Sequence, residues 1–245
     1  MEQITGVSAG HASGGARRPV PDHDLVRHFT VYACVVGSRA YGLQEPASDV
    51  DRRGVFCPPT ELFWYFDKPP THVDGPEPER FSWELERFCA LALQANPTVL
   101  ECLWSPLVEQ ATEVGEQLLA RRGLFLSRRV GETYGRYAAD QMNRLAASLR
   151  RTGLVRWKQA MHMIRLLIAG GHVLTTGEVL VDVSAYRDRL LAVRRGELAW
   201  EDVSAWAAEL TRQLATAAAD SPLPAEPDRD GIQDFLIATR RALSG

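Results

Sequence analysis

The residues best suited to chemistry lie in one stretch of the chain. Gly37-Ser38-Arg39-Ala40-Tyr41-Gly42-Leu43 is followed by Ser48-Asp49-Val50-Asp51-Arg52-Arg53-Gly54-Val55. On a strand, Asp49 and Asp51 point to one face and Val50 to the other. Two carboxylates about 7 Å apart on a rigid strand, with no basic residue between them, repel each other unless a cation sits over them. Magnesium suits that place, because it takes oxygen ligands and commonly joins one or two protein carboxylates to substrate phosphates. Upstream, the Gly37-Ser38 turn can offer backbone N–H groups and a hydroxyl to anionic oxygens. A metal site beside a phosphate cradle is the equipment of phosphoryl or nucleotidyl transfer. Either half alone is ambiguous, since an isolated Asp-x-Asp is usually a solvated strand edge and Gly-Ser usually only a turn. The combination carries the signal.

Such a site needs two strands to hold it. Val31–Val36 is a continuous apolar, β-branched run that reads as a buried strand and stops at Gly37. A second strand is expected over Asp49–Phe56, closed by Pro58-Pro59, and Phe81-Ser82-Trp83-Glu84-Leu85 alternates as a third. A short helix is expected over Asp24–Phe29, helical periodicity resumes at Leu85, and Asn96-Pro97 supplies a cap and a first-turn proline for another helix. Beyond about residue 113 the apolar stripes are helical: Arg129–Arg150, Val155–Ala169, Ser184–Arg195, Trp200–Ala219 and Gly231–Leu243. Breaks are expected at Gly153, Gly170-Gly171, Gly196 and the Pro-rich stretch 221–227. The expected fold is α+β: a small mixed sheet flanked by helices over residues 22–112, an α-helical domain over 113–245, and a flexible tail over 1–21.

Composition narrows the class. The 245 residues are 45% hydrophobic and 24% charged, enough for a sizeable core. No run of about 18 apolar residues offers a transmembrane helix, and the N-terminal stretch lacks the apolar region of a secretory signal. The cysteines (Cys34, Cys57, Cys89, Cys102) show no C-x-x-C spacing and sit in apolar runs, so reduced buried thiols and a cytoplasmic setting are expected. Charge is segregated. Residues 71–120 hold nine acids and two arginines, whereas 121–170 hold eleven Arg/Lys and two acids. Two readings stay open: one segment serves cations and the other phosphates, or the two dock and neutralise each other.

The motif resembles the nucleotidyltransferase domain of the DNA polymerase β superfamily: a hydrophobic strand, Gly-Ser, then Asp-x-Asp. More closely, residues 37–43 and 48–55 resemble the RNA repair pathway DNA polymerase β family, a family of predicted nucleotidyltransferases. Supporting similarity lies in Leu85-Glu86-Arg87-Phe88, in Asn96-Pro97 with Glu101, and in Lys158, His162 and Arg165-Leu166-Leu167. The resemblance covers about residues 30–243. It implies a nucleotidyltransferase-type mixed sheet in which Asp49 and Asp51 bind Mg²⁺ (or Mn²⁺) and Gly37 and Ser38 hold the triphosphate of an NTP such as ATP. It further implies a third carboxylate from a neighbouring strand, for which Glu84 is the first choice and Glu79 the second.

Arg39 and Tyr41, just after the turn, are candidates to touch phosphate or nucleobase, with surface exposure and local packing as the plainer alternatives. Arg52 and Arg53 could orient the aspartates by ion pairing. Lys158, His162 and Arg165 recur at i, i+4 and i+7, a helix face that could meet a triphosphate or an RNA backbone, or could be an ordinary basic surface. Glu101, flanked by apolar residues, is expected to pair with an arginine of the basic segment. The acceptor for nucleotidyl transfer is open among an RNA 3′ end, a small molecule and a protein side chain, with a catalytically silent nucleotide-binding module as the reading from another class. No RNA-binding module and no aromatic stacking platform is discernible.

Overall fold

The apolar run of the sequence forms the strand around which the first half is built. The protein was analysed as a computed structural model, which describes residues 20–244, so the expected tail falls almost wholly outside the described residues. The first half runs α1 (Asp22–Phe29), β1 (Thr30–Val36), a single turn α2 (Gly37–Ala40), β2 (Asp51–Phe56), a 3₁₀ turn (Thr60–Trp64), β3 (His72–Asp74), β4 (Arg80–Glu84), α3 (Leu85–Leu93), α4 (Pro97–Leu103), β5 (Val108–Ala111) and α5 (Glu113–Ala120). The five strands make one mixed sheet in the order β3-β4-β2-β1-β5. β1 is antiparallel to β2 and β5, and β4 is parallel to β2 and antiparallel to β3.

β1 is buried at all seven positions, which explains its unbroken apolar pattern. Tyr32, Cys34, Val36 and Val55 join the main core with Leu85, Phe88, Leu100 and Leu103 from α3 and α4. On the other face, Phe56 and Val73 close over Leu25 and Val26 of α1. Asn96 caps α4 by accepting from the Val99 N–H at 3.3 Å, with Pro97 in the first turn, as the sequence suggests.

The second half is helical: α6 (Arg129–Thr152), α7 (Trp157–Thr176), α8 (Arg187–Arg195), α9 (Trp200–Asp220) and α10 (Arg229–Ala242). α7 is its axis, buried along most of its length and packed against α6, α8 and α9. The expected break at Gly170-Gly171 does not occur, because both glycines lie inside α7. A Cβ on Gly170 would come within 2.9 Å of Leu214 and 3.0 Å of Tyr134, so the glycine admits close approach of α6 and α9 to the axis. One continuous core spans both halves, from Val31 to Phe235, and crosses the expected boundary near residue 112. Among the described residues no helix is long and apolar enough to cross a membrane.

Candidate active site

The end of β1 and the start of β2 are register neighbours: Val36 pairs with Asp51. Directly after Val36 the chain turns at Gly37, which has φ +70°, the left-handed region that favours glycine. A Cβ on Gly37 would collide with Oδ2 of Asp51 and lie 3.0 Å from its Cγ. The Gly-Ser turn and the acidic strand therefore meet at van der Waals distance. The turn closes through Tyr41 N–H to Gly37 C=O at 3.0 Å and Leu43 N–H to Ser38 C=O at 2.9 Å.

Asp49 is exposed in the loop immediately before β2, and Asp51 opens the strand half-buried. The strand thus begins two residues later than its pattern suggests. Neither carboxylate, nor the Ser38 hydroxyl, forms a hydrogen bond or ion pair among the described residues. Arg39 reaches across the loop and donates to the carbonyls of Ser48 (3.2 Å) and Asp49 (3.3 Å), so it pins the backbone beneath Asp49. Arg52 and Arg53 do not pair with the aspartates. Arg52 pairs with Glu109 at 3.0 Å, and Arg53 donates to the carbonyls of Arg52 (2.8 Å) and Glu79 (3.4 Å).

Register decides where the acids of β4 lie. Arg52 pairs with Arg80 and Phe56 with Glu84 in the parallel β2–β4 ladder. Glu84 is therefore at the opposite end of the sheet from Asp51, about 16 Å away at ~3.3 Å per residue. Its side chain also faces the other way: Phe81 and Trp83 share the face of Arg53 and Val55, and Ser82 and Glu84 take the opposite one. There Glu84 ion-pairs with Arg240 and caps α3 by accepting from the Glu86 N–H at 2.8 Å. Burial pushes its carboxyl above the ordinary carboxylate range, and Arg240 pulls the other way. The structure does not bring the first-choice third acid to the site. Glu79, the second choice, precedes Arg80 and so falls level with Asp51, its carbonyl accepting from the Arg52 N–H at 2.8 Å.

The three residues of α7 separate in the same way. Arg165 is 4% exposed and donates to Glu101 Oε1 at 2.7 Å, while Tyr41 O–H donates to Oε2 at 2.7 Å. The guanidinium carbon also lies 3.8 Å from the Tyr41 ring centroid. Tyr41, Glu101 and Arg165 form a buried triad that ties α2, α4 and α7 together, as expected for Glu101, and with His162 they line a cavity of about 260 Å³. That arrangement leaves Tyr41 and Arg165 holding the turn in place from behind. Burial opposes the charge on Arg165, yet Glu101 and Tyr41 outweigh it, and its pKa rises above the usual arginine value.

Burial, with Arg165, Lys158 and Arg194 nearby, pushes His162 down to about 4, so at neutral pH it is an uncharged imidazole. Only Lys158 of the three is an exposed cation. The sequence reading passes over a second clamp. Arg187 of α8 donates to the carbonyls of Gly42 and, at 2.8 Å, Gln44, and Arg194 and Arg195 pair with Glu45 at 3.3 and 3.0 Å. The high arginine density of α8 is its sole trace in the sequence. Among the described residues no group of three or more His, Cys, Asp or Glu side chains is gathered closely enough to hold a metal by itself.

The uncharacterized protein YcgL of Bacillus subtilis (strain 168) is 33% identical over 92 residues, which span 36% of this chain and 35% of that protein. No solved structure matches. Residues 22–238 match the family described as the RNA repair pathway DNA polymerase beta family, and the match takes in the sheet, the Gly-Ser turn, both aspartates and nearly all of the helical half. The chain belongs to that family.

Proposed function

We propose that the protein transfers a nucleoside monophosphate from an NTP to a hydroxyl acceptor. The acceptor oxygen attacks the α-phosphorus, the bond from that phosphorus to the β-phosphate bridging oxygen breaks, pyrophosphate leaves, and the hydroxyl proton passes to a carboxylate or to water. One observation carries the reading: Gly37, at φ +70°, lies directly against the Asp51 carboxylate, joining the turn and that acid in one site. Backbone N–H groups of the turn and the Ser38 hydroxyl would hold the phosphates. Asp49 and Asp51 would hold magnesium or manganese. Their carboxylate oxygens have no hydrogen-bond or ion-pair partner among the described residues, which fits an ion whose shell is completed by phosphate. Such an ion supplies charge stabilisation at the phosphate oxygens. Glu79, whose backbone is level with Asp51, would supply the third carboxylate once ion and substrate draw the acids together, with Glu84 left to a structural role. Lys158 is the residue of α7 that would meet phosphate.

An RNA 3′ end is the acceptor favoured by the family's description. The test is label transfer and pyrophosphate release from each of the four α-labelled NTPs, with Mg²⁺ or Mn²⁺ and with or without pooled RNA. Asp49→Asn and Asp51→Asn should each abolish RNA labelling, Glu79→Gln should lower it by about 100-fold or more, and Glu84→Gln at matched folded protein should retain it. Full activity in the aspartate variants would refute the site. Transfer to the protein itself would replace the RNA acceptor by a side chain.

A further inference from the structure

The 3₁₀ turn after β2 (Thr60–Trp64) runs into four consecutive aromatic residues, Phe63-Trp64-Tyr65-Phe66, the last two just past its end. Three of them stand in solvent: Trp64 is 71%, Tyr65 52% and Phe66 106% exposed. Apolar rings are ordinarily the first groups a chain buries, so a contiguous run left outside marks a binding surface. The base of the segment is fixed. Thr60 donates its hydroxyl to the Arg240 carbonyl at 2.6 Å, and the Arg240 guanidinium lies 4.2 Å from the Phe63 ring centroid. Thr60 and Phe63 thus tether the segment to the C-terminal end of α10.

Between α10 and α3, starting at Thr60, runs a groove of about 760 Å³. Arg129, Arg229, Arg240 and Arg241 line it, with Glu86 as the one acid, over a floor that includes Leu236. Arg240 is engaged with Glu84 and Arg129 with Glu226, but Arg229 and Arg241 are exposed and make no ion pair among the described residues. Exposed rings tethered at Arg240, the neighbour of Arg241, at one end of a groove that Arg229 lines about 18 Å further along α10, offer what a single-stranded polynucleotide requires: bases stack on the rings and phosphates follow the cations. The cations favour a polyanion over a purely apolar partner, which would leave them without counter-charge.

We infer that Trp64, Tyr65 and Phe66, with Arg229 and Arg241, bind a single-stranded polynucleotide, RNA under the reading above, on a surface separate from the aspartates. Glu84, beside this groove, is at the far end of β4 from the level of Asp51. The surface would therefore hold a strand at a distance from its reacting end. The inference takes its choice of RNA from the proposed function, yet binding can be measured without transfer.

The experiment is fluorescence anisotropy with a labelled 12-nucleotide oligouridylate, in EDTA, on the full chain and on Asp49→Asn/Asp51→Asn, with oligothymidylate of equal length in parallel. Both proteins should bind alike. Trp64→Ala/Phe66→Ala should weaken binding about tenfold or more at unchanged melting temperature. Arg229→Gln/Arg241→Gln should reduce the slope of log K against log salt by about 1.4, at ~0.7 for each lost phosphate contact on a single strand. Leu154→Ala, which removes an exposed apolar side chain elsewhere (70% exposed), should change nothing. Equal binding by the aromatic variant and the parent overturns the inference. So does absence of binding, or a parent that self-associates through these rings and ignores the oligonucleotide. Preference for oligothymidylate overturns RNA as the occupant. Binding at the rings without any RNA labelling would leave this surface standing and remove the RNA acceptor.

Discussion

The buried triad behind the phosphate turn allows a quantitative test of how the site is held. Arg165 and Glu101 side chains are 5% and 2% exposed and meet at 2.7 Å, and Tyr41 O–H satisfies the second carboxylate oxygen. In Arg165→Met the carboxylate, itself almost wholly buried, keeps only the Tyr41 hydroxyl and has no counter-charge. Removing one partner of a buried ion pair costs about 3–5 kcal/mol, because the remaining charge stays desolvated. Tyr41→Phe removes a hydrogen bond to a charged group and should cost about 1.5–3 kcal/mol. Replacing all three, as Tyr41→Phe/Glu101→Leu/Arg165→Met, removes the orphaned charge together with its partners. That variant should lie within about 1–2 kcal/mol of the parent, since buried ion pairs are often no better than apolar groups of similar size. Urea unfolding at pH 7, followed by circular dichroism, reads all four proteins. A loss under about 1 kcal/mol in Arg165→Met, or a triple variant as unstable as that single one, would refute the argument.

Two further outcomes are expected. Gly37→Ala forces a side chain into the left-handed region and onto Asp51; the backbone penalty is about 1–2 kcal/mol, and nucleotidyl transfer should fall about 100-fold as the carboxylate is displaced, measured as turnover at matched folded protein. His162 titrates at about 4 when folded and near ~6.5 when unfolded, so the unfolded chain binds the proton first and stability is lost as pH falls through that window. The loss between pH 7 and pH 5 should be about 2 kcal/mol greater in the parent than in His162→Gln, and identical pH profiles by urea unfolding would rule the buried imidazole out.

What was legible in the sequence follows from which side chains carry a repeating burden. β1 and the helices announce themselves because burial repeats along them, as along α7. β5 does not: Val108–Ala111 is an edge strand exposed at three of four positions, so its residues need no alternation and leave no pattern. β3 is three residues long with one buried, too short for a period to show. Gly170 misleads for a related reason, since a glycine that ends a helix and one that lets neighbouring helices approach look the same in a chain read alone. The aromatic run at 63–66 was in plain view, but an aromatic residue reads as core until exposure is known.

The third carboxylate shows where such reading stops. Alternation along Phe81–Leu85 places Glu84 opposite Phe81 and Trp83. It cannot say which of those faces Asp51 shares, because that depends on how β4 registers with β2 after a connection of more than twenty residues. The ladder answers it: Phe81 sits with Arg53 on the Asp51 side, so Glu84 lies on the wrong face and at the wrong end. The same holds for α7. Spacing of i, i+4 and i+7 puts Lys158, His162 and Arg165 on one face, but what meets that face is set by α4, α8 and the turn at Tyr41. A stripe that reads as three cations becomes one exposed ammonium, one neutral imidazole and one buried guanidinium paired with Glu101. Local pattern fixes direction within an element, and the charge available to a substrate depends on what the neighbouring elements have taken.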